Sequence, residues 1–278
     1  MMNFASQELN EWRESNNYYE FTPKIQQKET KIKTDSVKLF ADKLRVPAVG
    51  KPLARPRLVE HLEKSLRQFS ATLVTGRAGM GKTVLAADYA RQSDSCVVWY
   101  RVETADSDWK IFASYLASSL NQSCSETDAP KYDPTDTAIS SVSEGLAAQF
   151  NESAGEKPIL IVLDDIHAVF DAEWFAEFFT NFVPSLAPNV HLLMIARTLP
   201  SLPLWRLRSK QVLGVMDEKL LAFTSDETVK LFRRHKLSPA AARAAHKTAY
   251  GKASKLEEII EKTPSRQFDF VHKPGKPL

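Results

Sequence analysis

Eight residues, "GRAGMGKT", run from Gly76 to Thr83 directly after the apolar stretch "ATLV". They satisfy the spacing G-x-x-x-x-G-K-[ST] with Gly76, Gly81, Lys82 and Thr83. Glycines at those places let the backbone bend until several N–H groups converge on one anion. The helix that follows adds the partial positive charge of its N-terminus. Lys82 supplies a point charge for the β- and γ-oxygens of a nucleoside triphosphate, and the Thr83 hydroxyl is a ligand for Mg²⁺. The expected phosphate-binding set is Gly76, Arg77, Ala78, Gly79, Met80, Gly81, Lys82, Thr83 and Val84.

Two further stretches belong with this loop. "ILIVLDD" is an apolar run ending in Asp164 and Asp165. If it is a strand, both carboxylates stand at the carboxyl edge of a sheet, where ligands sit in open α/β folds. Asp164 is then the metal-side carboxylate, and Asp165 is placed to orient or deprotonate an attacking water. "HLLMIART" ends another apolar run at Arg197. An arginine after a strand is by itself a solvated cation. In company with the other two motifs it reads as a γ-phosphate sensor that stabilises departing charge. His167 lies near the acids in sequence and is expected to be a half-buried helical histidine. Trp99, Trp109, Trp174 and Trp205 are expected to pack in or beside the core.

Strands and helices must alternate to bring these ends together, and the sequence alternates. "ATLVT", "CVVWYRV", "PILIVLDD", "VHLLMIAR" and a short "QVLGV" read as strands. "LVEHLEKSL", with Leu58, Leu62 and Leu66 at helical spacing, "KTVLAADYARQ", "DWKIFASYLASSL", "AISSVSEGLAAQF" and "DAEWFAEFFTNFV" read as helices. That order predicts βαβ units and an α/β three-layer fold, a P-loop NTPase with a mainly parallel five-stranded sheet. Past residue 222 the strand signals stop. "TSDETVKLFRRH" opens with Thr224 and Glu227 at capping-box spacing. "SPAAARAAHKTAYG" has Ser238 as N-cap, Pro239 at the first helical position and Gly251 as its stop, and "ASKLEEIIEK" is one more helix. The expected organisation is a polar N-terminal extension over 1–44, a core over 45–222, a helical lid over 223–263 and an irregular basic tail over 264–278.

The 278 residues are 43% hydrophobic and 26% charged, the balance of a soluble domain with a sizeable core. No apolar run is long enough to span a bilayer, and the N-terminus has neither the basic region nor the apolar core of a secretory signal. Two cysteines, Cys96 and Cys124, carry no metal-type spacing, so a reducing cytoplasm is expected. The net charge of +3 is unevenly spread: residues 228–278 hold 12 Lys/Arg against 4 Asp/Glu. That basic end is a solvated face or a surface for DNA or an acidic protein partner.

With these residues placed, the chain resembles the nucleotide-binding domain of the STAND ATPases, a class related to the AAA and NB-ARC ATPases. Within that class it is similar to the large bacterial regulators of the maltose-activator type, which often end in a LuxR-type DNA-binding module. The stretches "LARPRLVEHLEKSL", "ATLVTGRAGMGKTVLAADYA", "ILIVLDDIHAVFDAEWFAEFF" and "VHLLMIARTLPSLPLWRLRSKQVLGV" carry the resemblance, over residues 45 to 260 or so. It implies ATP rather than GTP, which agrees with the lack of an N-K-x-D guanine motif. It implies Mg²⁺ at Thr83 and Asp164, with Asp165 and Arg197 as the catalytic pair. It places the Leu53–Arg57 segment, Arg55 included, near the adenine, mostly through backbone. It also implies a sheet in which the sensor strand lies between the phosphate-loop strand and the acidic strand. "TAYGKASKL" resembles the family's Gly-containing motif near the nucleotide, with Ala253 where proline often stands. Relatives continue into a winged helix, a helical-repeat sensor and a helix-turn-helix, whereas this sequence holds three helices beyond the sheet.

The resemblance implies an ATP-binding, slowly hydrolysing signalling switch, with ATP and ADP as ligands, nucleotide-dependent self-association and no membrane partner. Two other readings stay open on sequence. One is a DNA-associated AAA-like ATPase using the basic end. The other is a small-molecule phosphotransferase whose lid would draw on Arg206, Arg208, Arg233 and Arg234.

Overall fold

The computed structural model describes residues 40–124, 138–200, 207 and 211–263. Trp205, Arg206 and Arg208, the bulk of the N-terminal extension and the basic tail lie outside the described residues. All the described residues belong to one compact unit, Val37–Leu278.

Helix α1 (Pro56–Gln68) buries Leu58, Leu62 and Leu66 along one stripe, the spacing that its sequence showed. Strand β1 (Ala71–Thr75) is buried throughout and runs through the phosphate loop into α2 (Lys82–Gln92). Strand β2 (Cys96–Arg101) leads to α3 (Trp109–Ser123), which Asp108 caps by accepting the Lys110 N–H. Helix α4 (Ile139–Ser153) precedes β3 (Ile159–Asp164), and α5 (Phe175–Phe182) precedes β4 (Val190–Ala196). Strand β5 (Leu213–Met216) completes the sheet.

All five strands are parallel, in the order β2-β3-β4-β1-β5. The sensor strand β4 therefore lies between β1 and the acidic strand β3, as the resemblance implied. Alternation along each strand feeds two cores. Ile159, Ile161 and Leu163 of β3 face one side with α3, α4 and α5. Leu160 and Val162 face the other with α1 and α2. A sheet covered on both faces needs strands that are apolar at every position, which is why "ILIVL" shows no polar alternation. The first core is rich in stacked and edge-on rings, with Phe112, Phe178, Phe179 and Trp174 in mutual contact. Trp99 and Trp174 are buried in these cores, and the Trp174 indole N–H donates to the Ser107 carbonyl.

Cys96 and Cys124 are joined by a disulfide, with Cα atoms 6.0 Å apart, which ties the start of β2 to the end of α3. The expectation of a reducing compartment drew on there being only two cysteines, without metal-type spacing. Their pairing across 28 residues carries no spacing signature, and it removes that support. Among the described residues no helix is long and apolar enough to cross a membrane.

After β5 a single turn, α6 (Glu218–Leu221), leads to three helices: α7 (Ser225–Arg234), α8 (Pro239–Ala249) and α9 (Ala253–Lys262). Thr224 and Glu227 form the expected capping box, and Ser238 caps α8 by accepting the Ala241 N–H. Phe232, Ala242, Ala245, Leu256 and Ile260 give these helices a small core of their own. The stop after α8 is a pair of left-handed residues, Tyr250 and Gly251. Gly251 has φ +71°, and a Cβ there would lie 2.6 Å from the Phe223 carbonyl oxygen, so only glycine fits.

Candidate functional site

The carboxyl ends of β1, β4 and β3 lie side by side, and three predicted groups meet there. The phosphate loop leaves β1 and turns into α2, which aims its N-terminus back at the loop. Lys82 is buried at the start of α2, and its ammonium donates to the carbonyls of Gly76 and, at 3.0 Å, Arg77. Burial pulls its pKa below the ordinary lysine value, and Asp165 opposes that fall. Such a lysine turns onto an anion only by exchanging carbonyl partners that lie within its own loop.

Thr83 and Asp164 come together across 81 residues: the Thr83 hydroxyl donates to Asp164 Oδ1 at 3.0 Å. Asp164 is 4% exposed, and burial, reinforced by Asp165, pushes its pKa up to about 6. The Thr83 hydroxyl and the Asp165 backbone N–H, 3.1 Å from Oδ1, are its hydrogen-bond donors. A buried carboxylate with only neutral donors is electrostatically starved, and a small cation beside it would relieve that. One hydroxyl and one carboxylate also suit Mg²⁺, which keeps most of its waters and takes the rest of its ligands from phosphates. No cluster of three or more His, Cys, Asp or Glu side chains among the described residues offers a competing metal site.

β3 ends at Asp164, and Asp165 follows in the left-handed region at φ 56°. Asp165 Oδ1 lies 3.7 Å from the Arg197 Nε and 3.7 Å from the His167 Nδ1. Arg197 stands just past β4 and is exposed, open to a ligand from solvent. His167 is half-buried in a short 3-10 helix, and burial lowers its pKa, which favours the neutral ring. The structure therefore gathers Lys82, Thr83, Asp164, Asp165 and Arg197 at one edge.

Arg55 stands apart from this group. Its guanidinium donates to the carbonyls of Leu221 and Ala222 at 2.8 and 3.0 Å, and to Glu227 at 3.0 Å. It also lies over the Phe223 ring, 4.0 Å from the centroid. Arg57 donates to Leu220 and Ala222 carbonyls at 2.8 and 3.1 Å and reaches the same Glu227 carboxylate at 3.3 Å. Two arginines at the start of α1, Arg55 as its N-cap and Arg57 in its first turn, thus clamp the linker that carries the last three helices. Beside the clamp is an open pocket lined by Leu53, Leu58, Val84, Leu85, Phe223 and Ala253. Gly81 of the phosphate loop opens into it, and Asp88 and Glu257 add carboxylates. It is a mostly apolar pocket with a few polar groups, next to the phosphate loop.

Residues that sequence reading did not single out complete the picture. Glu218 accepts the Arg77 backbone N–H and its side-chain Nε, each at 2.8 Å, and so braces the start of the loop. The Ser254 N–H at the start of α9 donates to the Gly79 carbonyl at 2.9 Å. Its neighbour Ala253 therefore sits against the loop without the proline that relatives often carry. Neither pairing leaves a mark in local sequence, because each joins residues more than 140 positions apart.

The sequence profile of the family described as "AAA domain" matches residues 48–199. The chain is 29% identical over 206 residues to the HTH-type transcriptional regulator MalT of Serratia proteamaculans, a match covering 72% of this chain and 22% of the relative. It thus spans under a quarter of the length of that curated relative. Among solved structures it is similar to a signal transduction ATPase with numerous domains (STAND) carrying a tetratricopeptide repeat sensor, from Pyrococcus horikoshii. There the TM-score is 0.54 at 18% identity, over 81% of this chain and 32% of that one. It is also similar to a Walker-type ATPase of Pyrococcus abyssi, with a TM-score of 0.52 at 13% identity, over 76% of this chain and 67% of that one.

Proposed function

We infer that this chain, which belongs to the AAA domain family, works as an ATP-binding, slowly hydrolysing switch module of the STAND type in a bacterial transcriptional regulator. The observation that carries the reading is the convergence of Lys82, the Thr83–Asp164 pair and the Asp165–Arg197 pair at one sheet edge, beside an apolar slot under the last three helices.

In this reading Gly76 to Val84 cradle the phosphates, and Lys82 leaves its loop carbonyls for the β- and γ-oxygens. Thr83 and Asp164 would hold Mg²⁺, which supplies charge neutralisation of the phosphates when bound. Asp165 orients the attacking water, and Arg197 senses the γ-phosphate. The slot beside Arg55 takes the adenine. Residues 45–222 act as the core and 223–263 as a lid whose position follows ATP or ADP occupancy. Self-association dependent on nucleotide, action in the cytoplasm, and DNA or protein contact through the exposed Lys230, Arg233, Arg234, Arg243 and Lys247 complete the proposal.

The test is calorimetry with ATP and Mg²⁺ on the wild type and on Lys82→Ala. Micromolar binding by the wild type and its loss in the variant are expected. A correctly folded wild type that binds no ATP would sink the reading.

A further inference from the structure

The chain's two cysteines meet at the amino edge of the sheet, opposite the edge that carries the phosphate loop. Cys96 opens β2, an edge strand that pairs only with β3. Cys124 is the C-cap of α3. Both pack, partly exposed, against the first apolar core. The last buried residue of α3 is Leu120, and Asn121, Gln122 and Ser123 after it are polar and exposed. Past Leu120 no apolar side chain of α3 anchors it, and the bond to Cys96 takes over that role.

The bond is within reach of solvent. An open pocket beside it is lined by both cysteines together with Ser95, Ser123, Glu156 and Lys157. That lining is polar, so a small hydrophilic molecule is admitted rather than repelled. Lys157 brings an ammonium, which favours a thiolate in the pocket, and Glu156 is the opposing charge. A disulfide walled in by a core resists exchange, whereas an exposed one is the labile kind. In the reducing cytoplasm proposed above, a disulfide that forms is transient and answers to the thiols around it.

We propose that the Cys96–Cys124 bond is a reversible thiol–disulfide exchange site, opened by small thiols of the glutathione class that enter this pocket and closed again by their disulfides. In opening, a small thiolate attacks the Cys124 Sγ. A new S–S bond forms there, the old one breaks, and Cys96 leaves as a thiolate that takes up a proton. A second small thiolate attacks the sulfur of the first. Cys124 is released as a thiolate, is protonated in turn, and one small disulfide departs. Two small thiols are oxidised and one protein disulfide is reduced, with two electrons and two protons passed to the cysteines. The reverse sequence closes the bond. Opening frees the last turn of α3 and the start of the edge strand, while the buried Phe112, Leu116 and Leu120 keep the rest of the helix in the core.

The experiment holds the folded full chain in mixtures of reduced and oxidised glutathione, traps free thiols with an alkylating reagent and counts the adducts by intact mass. The chain should pass from no adduct to one on each cysteine in excess reduced glutathione, and should return when oxidised glutathione is restored. Hydrogen exchange should show faster amides at 96–98 and 121–124 in the reduced form, with β1 and β4 unchanged. Its melting temperature should be lower by about 5–10 °C. Cys124→Ser should match the reduced chain in exchange and ignore the glutathione ratio. A bond that resists excess reduced glutathione until urea unfolds the chain would overturn the proposal, as would free thiols that persist in the native chain under oxidised glutathione. Identical exchange in the two redox states of the wild type would overturn the release of α3, and that comparison needs no variant to fold.

Discussion

The sheet and the lid are held by different forces. The sheet is buried between two apolar cores, with Phe112, Phe178, Ile161 and Leu193 out of contact with water. The lid has a small core of its own, on which Leu53 packs, and is otherwise tied to the sheet domain by polar groups: Arg55 and Arg57 on the 220–222 carbonyls and Glu227, and Ser254 on Gly79. Burial is non-directional and resists small displacements everywhere, whereas a handful of hydrogen bonds can be exchanged one by one for ligand or water. A rigid edge that places the catalytic groups and a lid attached by exchangeable contacts are the two halves that a nucleotide switch needs.

Mutations that remove each force should separate the halves. The largest effect is expected in the sheet domain. Phe178→Ala empties a site where its ring touches Phe112, Trp174, Phe179 and Phe182. It should cost about 3–5 kcal/mol of global stability, read from the urea midpoint at constant slope. A loss below 1 kcal/mol would mean that this core does not carry the fold.

Lys82→Ala comes next, and it acts on binding rather than on folding. Lys82 is bonded only to carbonyls of its own loop, so its removal breaks no link between elements. Losing its charged contacts to phosphate should weaken ATP roughly 100-fold, with the melting temperature of the apo protein little changed. Equal affinity in calorimetry would refute its phosphate role.

Glu227→Gln addresses the attachment of the lid. Glu227 accepts from Arg55, Arg57 and the Thr224 N–H, and those contacts hold its carboxyl below the ordinary range against the opposing effect of burial. Removing its charge leaves two arginines sharing a neutral acceptor. The lid should then open locally about 1–2 kcal/mol more readily, after allowance for partial solvent screening. Hydrogen exchange would show faster amides in 224–262 and unchanged amides in β1, β3 and β4. Uniform acceleration across both regions would show that lid and sheet open as one.

The two halves also differed in how legible they were. The sheet could be read because burial on both faces writes itself into continuous apolar runs. The polar residues that end those runs, Asp164 and Arg197, stand out by contrast. Sheet order could not be read from spacing and came through the resemblance. The lid helices announced themselves by their caps, Thr224 with Glu227 and Ser238. Their docking was silent, since Arg55 meets main-chain carbonyls and Ser254 offers its own N–H, and neither interaction depends on the partner's side chain. The Cys96–Cys124 bond was silent for a similar reason: two cysteines 28 residues apart carry no register until β2 and α3 bring them together.

Asp164 offers the finest probe, because it titrates where the sheet edge meets the ligand. Burial raises its pKa to about 6, above the ordinary 3.8. A carboxyl raised in the folded state binds its proton more tightly there than in the unfolded chain. Its charge therefore destabilises the fold as pH rises through the window from about 4 to 6, and the penalty is fully present above it. Asp164→Asn should thus stabilise the apo protein at pH 8, with the gain vanishing toward pH 4 in paired thermal melts. Metal binding needs the deprotonated form, so the Mg²⁺-dependent part of ATP affinity should fall about tenfold for each pH unit below 6 in the wild type. In Asp164→Asn that part should be small and flat with pH. A wild-type Mg²⁺ dependence that is also flat from pH 7.5 to 5 would take Asp164 out of the metal site and leave its burial a matter of folding alone.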